Sequence, residues 1–386
     1  MTRLLVLGST GSIGVQALAV AAAHPDRVRV AGIAAGGSLE ALCVQARRWR
    51  PGALALEQAA DPAAARARLA EASPGARIEV GAGAAARLVA ACECDTVLNG
   101  IVGSAGLAAS LATLERGLRL ALANKETLVV GGELVSARLA RGGDLVPVDS
   151  EHSAALQCLG GRPAREVSCL TLTASGGALR DHPDWRQATR DEVLAHPVWS
   201  MGPRITVDSA TLFNKGLELI EARWLFDLGW DQLAAVLHPE ARIHALVRFV
   251  DGSVVAQAAA ADMRLPIALG ISWPEHWPRS ARDAGSMLPG DLAGLTFAPI
   301  PSGRHPAFDL AQAAGRVGGT APCALNAADE VAVEAFLAGR IPLGSLPDVI
   351  AAVMDAHRVE PVESLEQLRA VDTWAREEAR AVAPRR

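Results

Sequence analysis

Two carboxylates close an apolar run near the middle of the chain. In the segment VPVDSEHSAALQ, residues 146–157, Asp149 and Glu151 flank Ser150. Unpaired carboxylates are rarely buried, so burial does not explain them. One interpretation is a helix start, with Asp149 or Ser150 as N-cap and Glu151 in the first turn. The other is a strand end that directs both carboxylates, on one face, toward a positively charged group.

A glycine turn near the N-terminus indicates a second kind of chemistry. The stretch LLVLGSTGSIG, residues 4–14, places three glycines where an apolar strand gives way to a helix. Backbone N–H groups and the helix N-terminus can then face a pyrophosphate. A glycine turn can also be only a turn, and G-x-x-G-x-x-G is not the commoner dinucleotide spacing. We predict nucleotide binding, through Gly8, Thr10, Gly11, Ser12 and Ile13.

The end of the second strand indicates which nucleotide. An NAD site usually has an acid here, which binds the ribose 2′-hydroxyl and repels a 2′-phosphate. The sequence AAGGS has no acid from Ala34 to Ser38, which favours NADP. The predicted contacts are Gly36, Gly37 and Ser38. An arginine from elsewhere, Arg47 or Arg48, is a candidate partner for the 2′-phosphate.

A long polar segment, residues 172–224, holds the third candidate group. It is rich in glycine and proline, which is typical of a lid or of disorder, and Trp199 beside Met201 suits a lid that excludes water. Polar side chains then gather near a helix start, where a phosphate site and structural caps are equally good explanations. These side chains are Ser209, Asn214 and Lys215.

Elements with alternating character must position these groups. Short apolar runs alternate with alanine- and leucine-rich helical stretches, which predicts a parallel sheet with ligands at the carboxyl ends of its strands. Asn124, Lys125 and Asp149 fall at such ends. The predicted strands are RLLVLG, RVRVAGIAA, ALALE, RIEVG, DTVLNGIVG, LRLALAN and DLVPVDS.

The middle of the chain predicts a second α/β region. VSCLTLTAS and RITVDS have strand composition, and RIHALVRFVDGSVVAQA predicts a hairpin with a two-residue turn at Asp251-Gly252. Prolines and glycines then accumulate, as in an extended linker. Four helical stretches follow, at 306–316, 322–338, 345–357 and 364–383, which predicts a helical bundle.

The predicted fold class is therefore α/β, with an N-terminal Rossmann-like parallel sheet, a second α/β catalytic domain and a C-terminal helical bundle. We place the nucleotide-binding domain at 1–149 and a catalytic and dimerisation domain at 150–273. The latter includes a flexible lid at 175–203. A linker at 274–303 and the bundle at 304–386 complete the chain.

Composition excludes several classes of function. Of 386 residues, 50% are hydrophobic and 20% charged, the balance of a globular protein. The net charge of -5 lacks a basic stripe, so no nucleic-acid partner is expected. Six scattered cysteines suit reduced thiols. With a strand starting within three residues and no apolar run of membrane-spanning length, we expect a cytoplasmic protein without signal peptide or membrane partner.

Six motifs, in order and at matching separations, resemble one enzyme family. The chain is similar from about residue 3 to its last helices to 1-deoxy-D-xylulose 5-phosphate reductoisomerase, an NADPH- and metal-dependent family of isoprenoid synthesis. The motifs are GSTGSIG, ANKETLV, PVDSEHSA, SGGALRD, HPVWSMGPRITVDSATLFNKGLELIEARWLF and GTAPCALNAADEVAVEAFL.

The resemblance implies roles for individual residues. Asp149, Glu151 and Glu218 match the ligands of a divalent cation, Mg²⁺ or Mn²⁺ with Co²⁺ as a further candidate; on spacing alone, Glu221 competes with Glu218. Ser150 would touch the substrate hydroxyls. Other implied substrate contacts are Ser175, Ser209, Asn214 and Lys215 for phosphate, His196 beside them, Trp199 in the lid, and Lys125 near the reacting hydroxyls. Further implied cofactor contacts are Asn124, Glu126, Met201 and Gly202.

The implied reaction rearranges a sugar phosphate, most simply by retro-aldol cleavage and re-addition, and then transfers hydride to the resulting aldehyde. The family resemblance also implies a homodimer. The sequence departs from the family at Gly37, where a basic residue is common, and at Asp329, where asparagine is common. The segment AQAAAADMRLP also lacks the glycine and proline that are usual in the corresponding hairpin. Two rivals stay open: an NADP-dependent dehydrogenase of a small phosphorylated aldehyde without rearrangement, and a nucleotide-binding scaffold.

Overall fold

The structure is a computed structural model that describes residues 1–199, 201–278, 287 and 289–383. Its contacts divide the chain into two compact units. Unit 1 contains residues 1–127, 135–153 and 262–284, and unit 2 contains residues 128–134, 154–261 and 285–386.

Unit 1 is built on a parallel sheet of seven strands in the order β4-β3-β2-β1-β5-β6-β7. The inner strands are mostly buried, as the interior of a parallel sheet requires, whereas edge strand β4 has no fully buried residue. The order reverses between β1 and β5, so this is the point where open α/β sheets bind ligands. The strands are β1 (Thr2–Leu7), β2 (Val28–Ala35), β3 (Ala53–Leu56), β4 (Arg77–Val80), β5 (Thr96–Asn99), β6 (Arg119–Leu122) and β7 (Asp144–Pro147).

Helices connect these strands, as the alternating sequence predicts. Local signals set their ends: Asp61, for example, accepts hydrogen bonds from the N–H groups of Ala63 and Ala64, and Pro62 occupies the first turn of α3. The helices are α1 (Ser12–Ala23), α2 (Leu39–Trp49), α3 (Pro62–Ala72), α4 (Ala84–Ala91) and α5 (Leu107–Glu115). Two further helices, α6 (Glu126–Leu139) and α7 (Ser150–Leu159), contribute residues to both units.

Unit 2 has a mixed five-stranded sheet in the order β11-β10-β8-β9-β12. The predicted hairpin is present, but its connection runs from Val250 to Ser253, longer than the predicted two-residue turn. Its strand β11 lies at an edge. The strands are β8 (Val167–Ala174), β9 (Leu233–Leu237), β10 (Ile243–Phe249), β11 (Val254–Ala258) and β12 (Ala298–Pro299).

Helices supply the rest of unit 2, and the four C-terminal ones start and end within one residue of prediction. The prediction of RITVDS as a strand is wrong: these residues lie in α9, where Pro203 starts the helix and burial of Thr206 and Val207 outweighs β propensity. The helices are α8 (Arg190–Leu194), α9 (Pro203–Ala210), α10 (Phe213–Phe226), α12 (Pro306–Val317), α13 (Ala321–Leu337), α14 (Leu346–Ala356) and α15 (Leu365–Val382), while α11 (Arg264–Ser272) belongs to unit 1.

The structure divides the chain differently from the predicted domains. The C-terminal helices share one hydrophobic core with α9 and α10. Helix α11 packs on the first sheet, where Gly270 lies against Val148. Part of the predicted linker 274–303 forms β12, and its residues 279–286 and 288 lie outside the described residues.

Part of the predicted lid, residues 175–203, is helical or buried. Leu179, Ala188 and Val193 are buried in the core of unit 2. Thr189 and Glu192 form a capping box at the start of α8. The described residues from 195 to 202 have no helix or strand, Ser200 lies outside the described residues, and the lid stays a prediction.

All six cysteines are free thiols. Among the helices of the described residues, none combines the length and the apolar composition that crossing a bilayer requires.

Candidate active site

The glycine turn between β1 and α1 has no room for side chains at two positions. Gly8 adopts φ of +74°, and a Cβ there would lie 2.5 Å from the carbonyl oxygen of Gly100. A Cβ at Gly14 would lie 2.3 Å from the carbonyl oxygen of Gly8. Gly11 is the N-cap of α1 and is exposed, and no side chain caps this helix. The first N–H groups of α1 are thus available to a phosphate.

The predicted cofactor residues Asn124 and Glu126 hold the neighbouring loop. The Asn124 amide donates to the carbonyl oxygens of Ile101 at 2.8 Å and Gly103 at 2.9 Å. Glu126 accepts from the Gly103 N–H at 3.1 Å. Sequence reasoning missed this loop because it assigned NGIVG to the predicted strand DTVLNGIVG, whereas β5 ends at Asn99.

The loop after β2 carries the predicted 2′-phosphate contacts. Gly36, Gly37 and Ser38 are exposed, and a Cβ at Gly36 would meet nothing within 4 Å. Arg47 and Arg48 lie in the last turn of α2, about 12 Å along the helix axis from this loop.

A different arginine lies nearer the 2′-phosphate loop. Arg68 of α3 donates to the Glu40 carboxylate at 2.6 Å, and Glu40 is in the first turn of α2. Ser38 is the N-cap of α2, so the pair is anchored within the helical turn that follows the loop.

Asp149 lies between the end of β7 and the start of α7. The strand-end and helix-start interpretations of VPVDSEHSAALQ are therefore both partly correct. Helix α7 begins at Ser150, which places Glu151 in its first turn rather than on an extended face with Asp149. Lys125 Nζ lies 2.6 Å from Asp149 Oδ2, and His152 Nδ1 lies 3.8 Å from the same oxygen. Ser150 donates to the Glu151 carboxylate at 2.5 Å.

In unit 2, His196 connects the loop at Ser175-Gly176-Gly177, called the SGG loop, to the predicted lid. Its Nδ1 accepts from the N–H groups of Val198 at 3.1 Å and Trp199 at 2.9 Å. The proton of the neutral ring is therefore on Nε2, which donates to Ser175 Oγ at 3.2 Å. Burial lowers the pKa of His196, so the neutral form is favoured. The Trp199 ring is half-buried, 6.4 Å from the His244 ring.

Met201 and Gly202 lead from the lid into α9. Met201 is half-buried and Gly202 is the exposed N-cap of α9. At the other end of α9, the carbonyl oxygen of Ser209 would lie 2.6 Å from a Cβ at Gly177. Only glycine allows the SGG loop to lie this close to Ser209.

A strained junction joins Ser209 to the predicted phosphate ligands on α10. Leu212 has φ of +58°, a left-handed conformation that is rare for leucine and is often found at functional sites. It brings the end of α9 to the start of α10, which has no side-chain cap. In the first turns of α10, Asn214 and Lys215 both contact the buried carboxylate of Glu218. Glu221, one turn later, is also buried, so burial does not decide between the two glutamates.

Three sequence profiles of one family match the chain along its length. The profile described as 1-deoxy-D-xylulose 5-phosphate reductoisomerase matches residues 4–132, and its C-terminal domain profile matches residues 145–226. The profile described as DXP reductoisomerase C-terminal domain matches residues 259–378.

Curated relatives agree with these profiles. The chain is 48% identical over 389 residues to the 1-deoxy-D-xylulose 5-phosphate reductoisomerase of Moorella thermoacetica, covering 99% of this chain and 98% of the relative. It is also 48% identical to that of Anaeromyxobacter sp. strain K, covering 98% and 96%.

Solved structures show the same similarity in three dimensions. A DOX-P reductoisomerase in complex with NADPH, fosmidomycin and magnesium matches with a TM-score of 0.92 and 35% identity, covering 99% of this chain and 98% of that one. The Zymomonas mobilis enzyme in complex with NADPH matches with a TM-score of 0.90 and 33% identity, covering 99% of both. The chain therefore belongs to the 1-deoxy-D-xylulose 5-phosphate reductoisomerase family.

Proposed function

We propose that this protein converts 1-deoxy-D-xylulose 5-phosphate to 2-C-methyl-D-erythritol 4-phosphate, with NADPH and a divalent cation, in non-mevalonate isoprenoid synthesis. The observation that carries the proposal is the α9–α10 junction in a chain that matches this family over its full length. There, Ser209, Asn214 and Lys215 lie at an uncapped helix start beside the Glu218 carboxylate.

The glycine turn and the loops around it fit NADPH. Gly8, Gly11 and Gly14 keep the backbone bare, so N–H groups at the start of α1 can bind the pyrophosphate. Gly36 to Ser38 leave space for the 2′-phosphate, with Arg68 as the nearby positive charge. Asn124 and Glu126 act on the cofactor through the loop that they hold. When bound, NADPH supplies the hydride.

Asp149, Glu151 and Glu218 fit one divalent cation. All three supply hard carboxylate oxygens, the donors that Mg²⁺ and Mn²⁺ prefer. Asp149 and Glu218 each lie against a lysine ammonium, and these ion pairs support a cation at both positions. When bound, the cation supplies Lewis-acid stabilisation of negative charge on the substrate oxygens. Lys125 orients Asp149, and Ser150 binds a substrate hydroxyl.

The remaining predicted residues hold the substrate and exclude water. Ser175, Ser209, Asn214 and Lys215 bind the phosphate, and the His196 Nε2–H orients Ser175. Trp199 covers the substrate, with Met201 and Gly202 against the nicotinamide. This enclosure keeps the fragments of a cleaved carbon skeleton in place until they recombine.

A product analysis tests the function. The protein is supplied with deoxyxylulose phosphate, NADPH and Mg²⁺ or Mn²⁺, and the carbon skeleton formed is identified by NMR. A branched methylerythritol phosphate supports the proposal. A straight-chain alditol phosphate indicates the dehydrogenase without rearrangement, and no consumption of NADPH indicates the scaffold.

The protein acts, in this proposal, as a cytoplasmic homodimer. Edge strand β11 exposes 55% of Val254 and 39% of Val255, and an apolar edge suits pairing with a second subunit. Free thiols suit a reducing compartment. Light scattering that detects only monomer at micromolar protein would contradict the dimer.

A further inference from the structure

A cluster of charged side chains joins α9 to the C-terminal helices. Arg204 of α9 lies 2.9 Å from a Glu330 oxygen, 3.8 Å from Asp329 Oδ2 and 3.7 Å from Asp208 Oδ2. Arg376 of α15 lies 2.5 Å from the other Glu330 oxygen. We call these five residues the α9 charge cluster.

The α9 charge cluster has more acidic groups than basic ones. Three carboxyl groups face two guanidinium groups, and Arg376 also pairs with Asp372 at 2.7 Å. Asp329 is fully buried, at 0% exposure, and Asp208 at 2%. Burial disfavours the ionised form of a carboxyl group, so the complete burial of Asp329 favours its protonated form.

The surroundings identify the carboxyl group that keeps the proton. Burial opposes ionisation of Glu330, but Arg204 and Arg376 outweigh it and hold the pKa of Glu330 below its usual value. Burial raises the pKa of Asp329 well above its usual value, and the negative charge of Asp208 raises it further, against a weaker effect of Arg204. Arg204 lies 3.7 Å from an Asp208 oxygen and 3.8 Å from an Asp329 oxygen, so the two carboxyl groups border the same guanidinium group.

The charged groups that act on Asp329 come from two helices. Asp208 and Arg204 face it from α9, and Glu330 is its neighbour on α13. Arg376 and Asp372 of α15 reach the cluster through Glu330. Helices α12 and α14 also pack on α13, but within the described residues they place no charged group in an ion pair with Asp329.

We propose that neutral Asp329 donates a hydrogen bond to the Asp208 carboxylate, and that this bond positions α9, and with it Ser209, for the substrate phosphate. The last step rests on the function proposed above. Asp208 is buried while its neighbour Ser209 is partly exposed, so one face of α9 is anchored and the next faces outward. Asparagine at this position would donate the same bond without titrating.

Thermal unfolding tests the proton without any need for turnover. Below about pH 4, Asp329 is neutral in both the folded and the unfolded chain. Above that, the unfolded chain loses this proton and the folded chain keeps it, so stability falls with rising pH. Asp329→Asn removes this loss. We expect its Tm to exceed that of the wild type by about 2–4 °C at pH 8 and to equal it at pH 4.

The control is Asp355→Asn, because Asp355 is an exposed aspartate at the end of α14. It should show no pH-dependent gain. A Tm of Asp329→Asn that is equal to or below the wild type at pH 8 would overturn the proposal. So would an infrared difference spectrum between wild type and Asp329→Asn without a carboxylic acid band at neutral pH.

Steady-state kinetics test the positioning role. Asp329→Val keeps a similar volume but leaves Asp208 without its donor, so the KM for substrate should rise about ten-fold while kcat and NADPH affinity stay within two-fold. Asp329→Asn should restore the wild-type KM. An equal rise of KM in both variants would overturn the role of the hydrogen bond. If Tm follows the proposal but no variant turns over substrate, only the proposed function fails.

Discussion

The glycine-containing loops of unit 1 and the α9–α10 junction of unit 2 differ in the parts of the chain that they offer to a ligand. Gly8, Gly14 and Gly36 offer bare backbone, and two of them have no space for a Cβ. At the junction, Lys215 and Glu218 are buried side chains in direct contact. Both regions would bind phosphate groups. Substitutions in the first region should therefore act through shape, and in the second through charge and hydrogen bonding.

The largest effect is expected at Glu218. Glu218→Gln keeps the shape but removes the charge, so turnover should fall on the order of 10²- to 10³-fold, while NADPH affinity stays within two-fold. Turnover and NADPH fluorescence titration measure the two. Glu221→Gln is the matched control, and a larger loss there would assign the metal to the other glutamate. Full activity of wild type in chelator would remove the metal from the mechanism.

The second-largest effect is expected from a purely steric change at Gly14. Gly14→Ala forces a Cβ to within 2.4 Å of Ser9 Cα, and overpacking of this kind costs about 1–3 kcal/mol. NADPH affinity should weaken by roughly five- to a hundred-fold. Gly36→Ala is the control because its Cβ meets nothing within 4 Å, and it should change the affinity little. Equal effects of both substitutions would show that shape is not what distinguishes this region.

Adding a charged side chain to the loop after β2 tests whether charge can also act in the glycine-containing region. Gly37→Arg places its Cβ 3.7 Å from Gln58, an ordinary contact, so the loop can accept it. A new charge-assisted hydrogen bond to the 2′-phosphate should raise the preference for NADPH over NADH about ten- to a hundred-fold. The ratio of kcat/KM for the two cofactors measures this. An unchanged ratio would mean that another residue already holds the phosphate, and Arg68→Gln should then lower it.

The smallest effect is expected at His196. His196→Ala removes the hydrogen bond to Ser175, so the KM for substrate should rise by about two- to ten-fold, with NADPH affinity unchanged. Because burial lowers the pKa of His196, its neutral form contributes stability that is lost only as pH falls from the unfolded pKa through the folded one. The alanine variant should therefore lose less stability than wild type on acidification below about pH 6.5. A KM that is independent of this substitution would separate His196 from the phosphate site.

The sequence was most informative where local pattern and tertiary packing agree. All seven strands of the first sheet were predicted, because continuous apolar runs between helices have few other solutions. The strand prediction for RITVDS was wrong because its β-branched residues favour a strand, whereas burial in the core of unit 2 favours the helix α9. The sequence does not predict the α9 charge cluster, because Arg204 and Asp329 are far apart in the chain. Arg68 was missed for the same reason.

The proposed pair of carboxyl groups, Asp208 and Asp329, affects which substitutions selection for stability would favour. Codons for aspartate and asparagine differ only in their first base, so a single transition converts Asp329 to the non-titrating amide. If the pair costs stability at neutral and alkaline pH, a random library screened for survival of heating at pH 8 should recover D329N early and repeatedly. The same library screened at pH 4 should show no enrichment at this codon.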